Sequence, residues 1–282
     1  MKLDRSALRA HPLPPVVDGD KETKGRILIV AGSREVPGAA LLAATAAMRA
    51  GAGKLRIATV ESIAIPIGVA MPEAMVAGLA EDRAGGFAAA AAAPIADLAA
   101  DVDAVVAGPG VKRSRACADI AAKLMRADVA LALDVAMLKA LRLPNKHRAI
   151  TPLLLPDADE LASLLDCRED EVERDPLGCG RRTAERYRAI VLVKGATSHV
   201  VTPGGDVWTQ SSGAPGLGVS GSGDVLAGIV GGLLARGAEP VNALLWAVWL
   251  HGQAGARLAK KVGPLGFLAR EIADEIPALL PG

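Results

Sequence analysis

Aromatic side chains are nearly missing from this 282-residue chain: three Trp, one Tyr and two Phe make up 2% of it. A core without them must be built from Ala, Val, Leu and Ile, which the 51% hydrophobic fraction can supply. The same scarcity removes the stacking platforms that single-stranded nucleic acids require. An excess of charge is missing too. Lys and Arg number 32 against 31 Asp and Glu, a net charge of +1 with no basic block, so nothing marks a nucleic-acid surface. Cysteine is sparse: Cys117, Cys167 and Cys179 are odd in number and widely spaced, without a zinc pattern, and read as reduced thiols. The four histidines (His11, His147, His199, His251) lack metal-ligand spacing, and His251, inside an apolar helix, reads as a packing residue. Long apolar runs are absent. Residues 225–234 and 243–250 are too short to span a bilayer, and Met1 to Pro15 is polar, basic and Pro-containing, with no signal core. The expectation is a cytoplasmic protein with neither a membrane nor a nucleic-acid partner.

What the chain does have is a repeating alternation of apolar runs and helix-period segments. Residues 26–31 form a continuous apolar run ending at Gly32-Ser33, which predicts a buried strand. An Ala-rich helix over 38–50 and a strand over 55–60 complete a β-α-β unit, hence a right-handed crossover and a parallel sheet. Further strands are predicted at 102–107, 129–133, 147–150 (ending at Thr151-Pro152) and 189–193, with a hairpin near 198–202 and 206–209. Helices are predicted at 86–100, 113–126, 224–236, 240–261 and about 267–277. One three-layer α/β domain over 1–282 fits best, with a mostly parallel central sheet flanked by helices. Residues 1–23 form an N-terminal extension packed on that domain or on an oligomer partner.

The chemistry concentrates in Gly218-Val219-Ser220-Gly221-Ser222-Gly223-Asp224, just ahead of an apolar helix-period run. Its overlap with a G-x-G-x-x-G pattern is incidental: no strand precedes it and no β-α-β unit follows. Amides at a helix start are unsatisfied and favour anions, so Gly221, Ser222 and Gly223 are candidates for an anion hole. Asp224 is either a helix N-cap or a base that takes a proton from a hydroxyl. Lys194 is either a solvated strand-end lysine or part of the same crevice, and Gly110 either a turn glycine or a point of close backbone approach. Asp157, Asp159 and Glu160 are either a solvated helix start or carboxylates that assist Mg²⁺.

Residues 215–237 resemble the signature of the ADP/ATP-dependent NAD(P)H-hydrate dehydratases, a ribokinase-like family. So do Ile29-Val30-Ala31-Gly32-Ser33 with Pro37-Gly38-Ala39-Ala40, Ala50-Gly51-Ala52-Gly53, Gly108-Pro109-Gly110, Thr151-Pro152, Leu192-Val193-Lys194-Gly195-Ala196 and Leu250-His251-Gly252, in the family's order. The likeness runs from about Lys24 to Leu280 and implies a ribokinase-like fold without the epimerase domain that some relatives carry in fusion. It implies a coenzyme-repair lyase that uses ADP or ATP with Mg²⁺: the hydroxyl of hydrated NAD(P)H is phosphorylated, and phosphate leaves to restore the ring. Position by position, it implies Asp224 as catalytic base in contact with the hydrate and Gly223 against the nucleotide. It further implies Lys194, Gly195, Ala196, Thr197 and Ser198 as the nucleotide loop, Ala39 and Gly110 against the hydrate, and a homo-oligomer. The sequence departs from the family pattern in three places. Lys112 stands where a glycine is usual. The histidine of Thr-Pro-His-Pro-Gly-Glu is missing from Leu153-Leu154-Leu155-Pro156-Asp157-Ala158-Asp159-Glu160. An Asp-Ala-Asp motif is reduced to Asp134-Val135-Ala136. These departures keep open a small-molecule kinase, or a nucleotide-binding subunit without catalysis. The sequence does not choose between ADP and ATP, or between hydrated NADH and NADPH.

Overall fold

The computed structural model describes residues 1–281 apart from 17, 19, 22, 145 and 212. Nine strands form one sheet in the order β3-β2-β1-β4-β5-β6-β7-β8-β9. They are β1 (Arg26–Val30), β2 (Lys54–Val60), β3 (Ala74–Leu79), β4 (Ala104–Ala107), β5 (Ala130–Leu133), β6 (Leu153–Leu154), β7 (Ile190–Val193), β8 (Ser198–Val201) and β9 (Val207–Gln210). β3 through β7 run parallel, and the β7-β8-β9 meander is antiparallel. The central strands β1, β4, β5 and β7 are almost wholly buried, which explains their unbroken apolar character.

Helices cover both faces. In chain order they are α1 (Arg5–Leu8), α2 (Gly38–Arg49), α3 (Glu61–Ala70), α4 (Ala92–Ala100), α5 (Ala116–Leu124), α6 (Ala136–Lys139), α7 (Ala158–Leu165), α8 (Glu169–Arg174), α9 (Pro176–Tyr187), α10 (Ser222–Ala235), α11 (Pro240–Lys261) and α12 (Ala269–Glu275). The sheet grows outward from β1 in two directions: through α2 to β2 on one side, and from β4 through α5 to β5 on the other. Right-handed crossovers then place α2 and α5 on opposite faces. α10 packs beside α2 and covers β1, β4 and β5.

The aromatic deficit is met by close helix approach. A Cβ at Gly228 or Gly232 of α10 would collide with the carbonyl oxygens of Ala43 or Ala47 in α2, so the two backbones nearly touch. An interface of this kind fills its volume with Ala and Gly rather than rings. The two Phe residues, Phe87 and Phe267, are both fully buried.

The N-terminal segment lies along the β9 edge. The Met1 ammonium donates to Val207 O (2.7 Å), Leu3 N–H donates to Thr209 O (2.8 Å), and the Trp246 indole N–H donates to His11 O (2.7 Å). The first two bonds occupy polar groups that an edge strand otherwise leaves open. One expected strand is displaced. Residues 147–150 are not a strand; the short β6 comes after Thr151-Pro152, so that dipeptide lies at the N-terminal end of the strand, away from the ligand edge. Residues 86–88 also lie outside the expected helix, which begins as a 3₁₀ turn at Ala89.

Candidate active site

The direction of growth reverses between β1 and β4, and in parallel sheets the crevice beyond the C-terminal ends at such a point is where ligands bind. Here Gly32, which follows β1, donates to Pro109 O after β4 (2.8 Å). Gly110 then turns with φ +62, where a Cβ would clash with Ala39 Cβ and stand 2.8 Å from Val36 O. The two residues implied to face the hydrate are therefore packed against each other at the switch point. Gly110→Ala is expected to destabilise the fold by at least about 1–2 kcal/mol, the cost of an L-residue in the left-handed region. A urea midpoint equal to wild type would show that the turn has room to spare.

Gly221, with φ +89, is the N-cap residue of α10, and Asp224 sits in the first turn with no side-chain cap bond. The N-cap alternative for Asp224 is thereby removed. The carboxyl of Asp224 is half-buried. Burial, and then the nearby Asp134 carboxylate, push its pKa from 3.8 to about 6, opposed by Lys194. Of the three expected anion-hole donors, Ser222 is a correction: its N–H donates to Val219 O (3.1 Å) and closes the turn. The N–H groups of Gly221 and Gly223 have no hydrogen-bond partner among the described residues. His251, on α11, fixes this turn from behind. Its Nε2 lies 3.1 Å from Ser222 O and 3.0 Å from Ser222 Oγ. A carbonyl only accepts, so Nε2 carries the proton and donates to it. Burial lowers the His251 pKa to about 4, which keeps the ring neutral.

Lys194 follows β7. Its ammonium lies 2.8 Å from Asp134 Oδ1 and 3.8 Å from Glu160 Oε2. Burial works against that charge, but the two carboxylates outweigh it, and the lysine pKa lies above its ordinary value. Glu160 is pushed up to about 7 by burial, with Lys194 opposing. Asp134 is 1% exposed at the end of β5. The next residue, Val135, has φ +47, a conformation that β-branched residues rarely adopt. Sequence reasoning missed Asp134 as a site residue, although its position at a strand's C-terminal end was the available signal. It also left Lys194 undecided; the ion pair removes the solvated reading.

A cavity of about 910 Å³ opens beside this cluster. Lys194, Gly195, Ala196, Ser198, Ser222, Gly223 and His251 are on its wall, with Leu217, Leu226 and Val248 as apolar lining. Thr197 of the expected nucleotide loop is exposed and off the wall. Asp224 is also off this wall; its carboxyl feels the charges of Asp134 and Lys194. Asp157, Asp159 and Glu160 are not a bare carboxylate cluster. Asp157 Oδ1 accepts from Glu160 N–H and Glu160 Oε2 accepts from Asp157 N–H (2.9 Å each), a capping box at the start of α7. Asp159 pairs with Lys139. Both carboxylates thus serve the cap, Glu160 also faces Lys194, and Asp157 lies on the cavity wall. No group of three or more His, Cys, Asp or Glu suited to a metal ion occurs among the described residues. That donor set fits a cation carried mainly by nucleotide phosphates, as Mg²⁺ commonly is, rather than one caged by protein.

Known proteins of one family resemble the chain along most of its length. A family model described as NAD(P)H-hydrate dehydratase matches residues 27–278. The ADP-dependent (S)-NAD(P)H-hydrate dehydratase of Xanthomonas campestris is 45% identical over 277 residues, covering 98% of this chain and 94% of that protein. The chain spans about half the length of the bifunctional NAD(P)H-hydrate repair enzymes that it also matches. The crystal structure of the Bacillus subtilis ADP/ATP-dependent NAD(P)H-hydrate dehydratase, co-crystallised with ATP and Mg²⁺, superposes with a TM-score of 0.87 at 28% identity, covering 99% of this chain and 96% of that one. A ribokinase-like protein of Enterococcus faecalis shares the fold, with a TM-score of 0.82 at 22% identity over 99% of this chain and 94% of that one. No helix among the described residues is long and apolar enough to cross a membrane. With the matched model spanning nearly the whole sheet and its helices, the chain belongs to the NAD(P)H-hydrate dehydratase family.

Proposed function

We propose that this chain removes water from hydrated NADH or NADPH, driven by ADP or ATP, with Asp224 as the base. The observation that carries the reading is the first turn of α10. It sets two amides with no partner among the described residues, of Gly221 and Gly223, three residues and one residue before a half-buried carboxylate beside a fixed lysine. The hydroxyl of the hydrated ring gives its proton to Asp224 as its oxygen takes the terminal phosphoryl group of the nucleotide. The bond from that phosphorus to the departing nucleotide breaks, releasing AMP or ADP. Phosphate then leaves with the electrons of the C–O bond, a proton is lost from the neighbouring ring carbon, and the double bond returns. Donors aimed at the moving phosphoryl charge are each worth about 3–4 kcal/mol when placed in advance of the reaction. Lys194, whose ammonium would stand 4.0 Å from a Cβ at Gly223, adds fixed positive charge there. Gly195, Ala196 and Ser198 hold the nucleotide, and Ala39 and Gly110 receive the hydrated ring. Asp157 would contact Mg²⁺ bound to the phosphates, and that ion supplies charge neutralisation. The same reading carries the homo-oligomer that the resemblance implies and the cytoplasmic location expected from the sequence.

The test is direct. NADH hydrate incubated with ADP or ATP and Mg²⁺ is expected to regain NADH absorbance, releasing one phosphate per coenzyme. No recovery with either nucleotide overturns the reading, and accompanying phosphorylation of a vitamin-like alcohol would replace it with a kinase.

A further inference from the structure

Phosphoryl transfer from a nucleotide to a dinucleotide requires both in the crevice together. In the dehydratase reading, on which this inference rests, the cavity beside Lys194 and Gly223 takes the nucleotide, and the reacting ring lies between Asp224 and Gly110. The remainder of the coenzyme, a pyrophosphate and an adenosine, needs a second space continuous with Gly110.

A cavity of about 840 Å³ opens close by, its lining starting at Arg113, three residues beyond Gly110. Its walls come from segments that follow β3, β4 and β5 at the ligand edge of the sheet: Asp82, Phe87, Arg113, Arg115 and Lys139. Arg113 is three residues beyond Gly110, within roughly 10 Å of it along the chain. Ala88 and Ala89 give it an apolar lining, with the buried Phe87 and Ala116 behind them. Most of its charges are already committed. Asp82 Oδ1 accepts from the N–H groups of Ala84 (2.9 Å) and Gly86 (3.0 Å), and Lys139 pairs with Asp159. The neighbouring Lys112 pairs with Glu35 at 2.6 Å. Arg113 and Arg115 are exposed, with no ion pair or hydrogen bond among the described residues. Two guanidiniums without a partner among the described residues, beside an apolar lining, match a phosphate-bearing nucleoside, because the planar fork of Arg pairs with two phosphate oxygens at once.

We infer that this cavity binds the phosphate-bearing adenosine half of the hydrated coenzyme, with Arg113 and Arg115 as its phosphate contacts. The dinucleotide then runs from the catalytic carboxylate across Gly110 into a pocket separate from that of the nucleotide.

The experiment compares wild type with Arg113→Ala/Arg115→Ala on hydrated NADH, hydrated NADPH and a hydrated nicotinamide mononucleotide that lacks the adenosine half. The double variant is expected to raise KM for the dinucleotide hydrates about tenfold or more. KM for ADP or ATP and kcat/KM for the mononucleotide hydrate should stay at their wild-type values. Arg113→Lys/Arg115→Lys is expected to recover part of the loss. Equal losses on both dinucleotides assign the arginines to the pyrophosphate, and a larger loss with hydrated NADPH assigns them to the 2′-phosphate. Unchanged KM for both dinucleotides, or an equal loss on the mononucleotide, overturns the inference. Calorimetry with adenosine 2′,5′-bisphosphate, in the presence of saturating ADP and Mg²⁺, separates it from the dehydratase reading. An inactive wild type that still binds this probe through Arg113 and Arg115 rejects the reaction and keeps the pocket. No binding, with coenzyme repair intact and KM unmoved in the variant, rejects the pocket and keeps the reaction.

Discussion

Asp224→Asn is expected to lower kcat by about 10² to 10⁴, the range for losing a positioned base, while ADP and ATP still bind. The wild-type rate should climb with pH through about 6 and then level, because burial holds the Asp224 carboxyl protonated up to that value and only the ionised form accepts the hydroxyl proton. The asparagine variant should lose that rise. Asp134, Lys194 and Glu160 surround the group, and Glu160, titrating at about 7, can bend the upper part of the profile. Stability moves the opposite way. Between 3.8 and about 6 the folded protein holds a proton on Asp224 that the unfolded chain has lost. Wild type therefore loses stability as pH rises through that window. Above it, Asp224→Asn should be the more stable protein, by up to about 2 kcal/mol. Below pH 4 the difference should close. Denaturant titrations at pH 4 and pH 8, beside nucleotide calorimetry, separate lost chemistry from lost folding. Near wild-type turnover in a folded Asn variant would remove Asp224 from the mechanism.

Lys194→Met is expected to destabilise the fold by about 3–5 kcal/mol, since it strands the buried Asp134 carboxylate without its partner. Adding Asp134→Leu should recover most of that loss, because two apolar groups carry no unpaired charge. Activity should not return with stability, as Lys194 also faces Gly223 and the nucleotide cavity. Asp224 supplies a second readout: Lys194 holds its pKa down, so removing the ammonium should move the rise in the pH–rate profile upward. Unfolding free energy from urea titration decides the first point. A loss under about 1 kcal/mol would mean that water or a neighbour already compensates Asp134, and the pair would not be the structural centre of the crevice.

Much of the architecture was legible because buried parallel strands are written as unbroken apolar runs. The runs at 26–31, 55–60 and 189–193 appear as strands within a residue or so of their expected limits. The 240–261 helix has the bounds that its leading Pro240 and period suggested. Elements whose pattern does not report burial were not assigned. α3 carries Pro66 internally and exposes Ile65 and Val69 at 80% and 79%, so its apolar residues do not mark its packed face. β6 is only two residues long, too short for a period, and the preceding Thr-Pro drew the expected strand to the wrong side of it. In the site, Gly221 and Gly223 were read from helix-start chemistry, which is local, whereas Ala39 and Gly110 were implied by the family resemblance.

From its order of residues alone, this chain settles a parallel sheet with glycine turns at its ligand edge and an aspartate in the first turn of a helix. These follow from the contacts that a residue makes with its near neighbours along the chain. Folding in three dimensions decided the rest. It set Lys194 between Asp134 and Glu160, committed Ser222 N–H to Val219, drew Glu160 into a cap, and left Arg113 and Arg115 without partners among the described residues. Coulombic coupling and desolvation depend on distance and burial through space, and residues far apart in sequence carry no mark of either until the sheet brings their ends together.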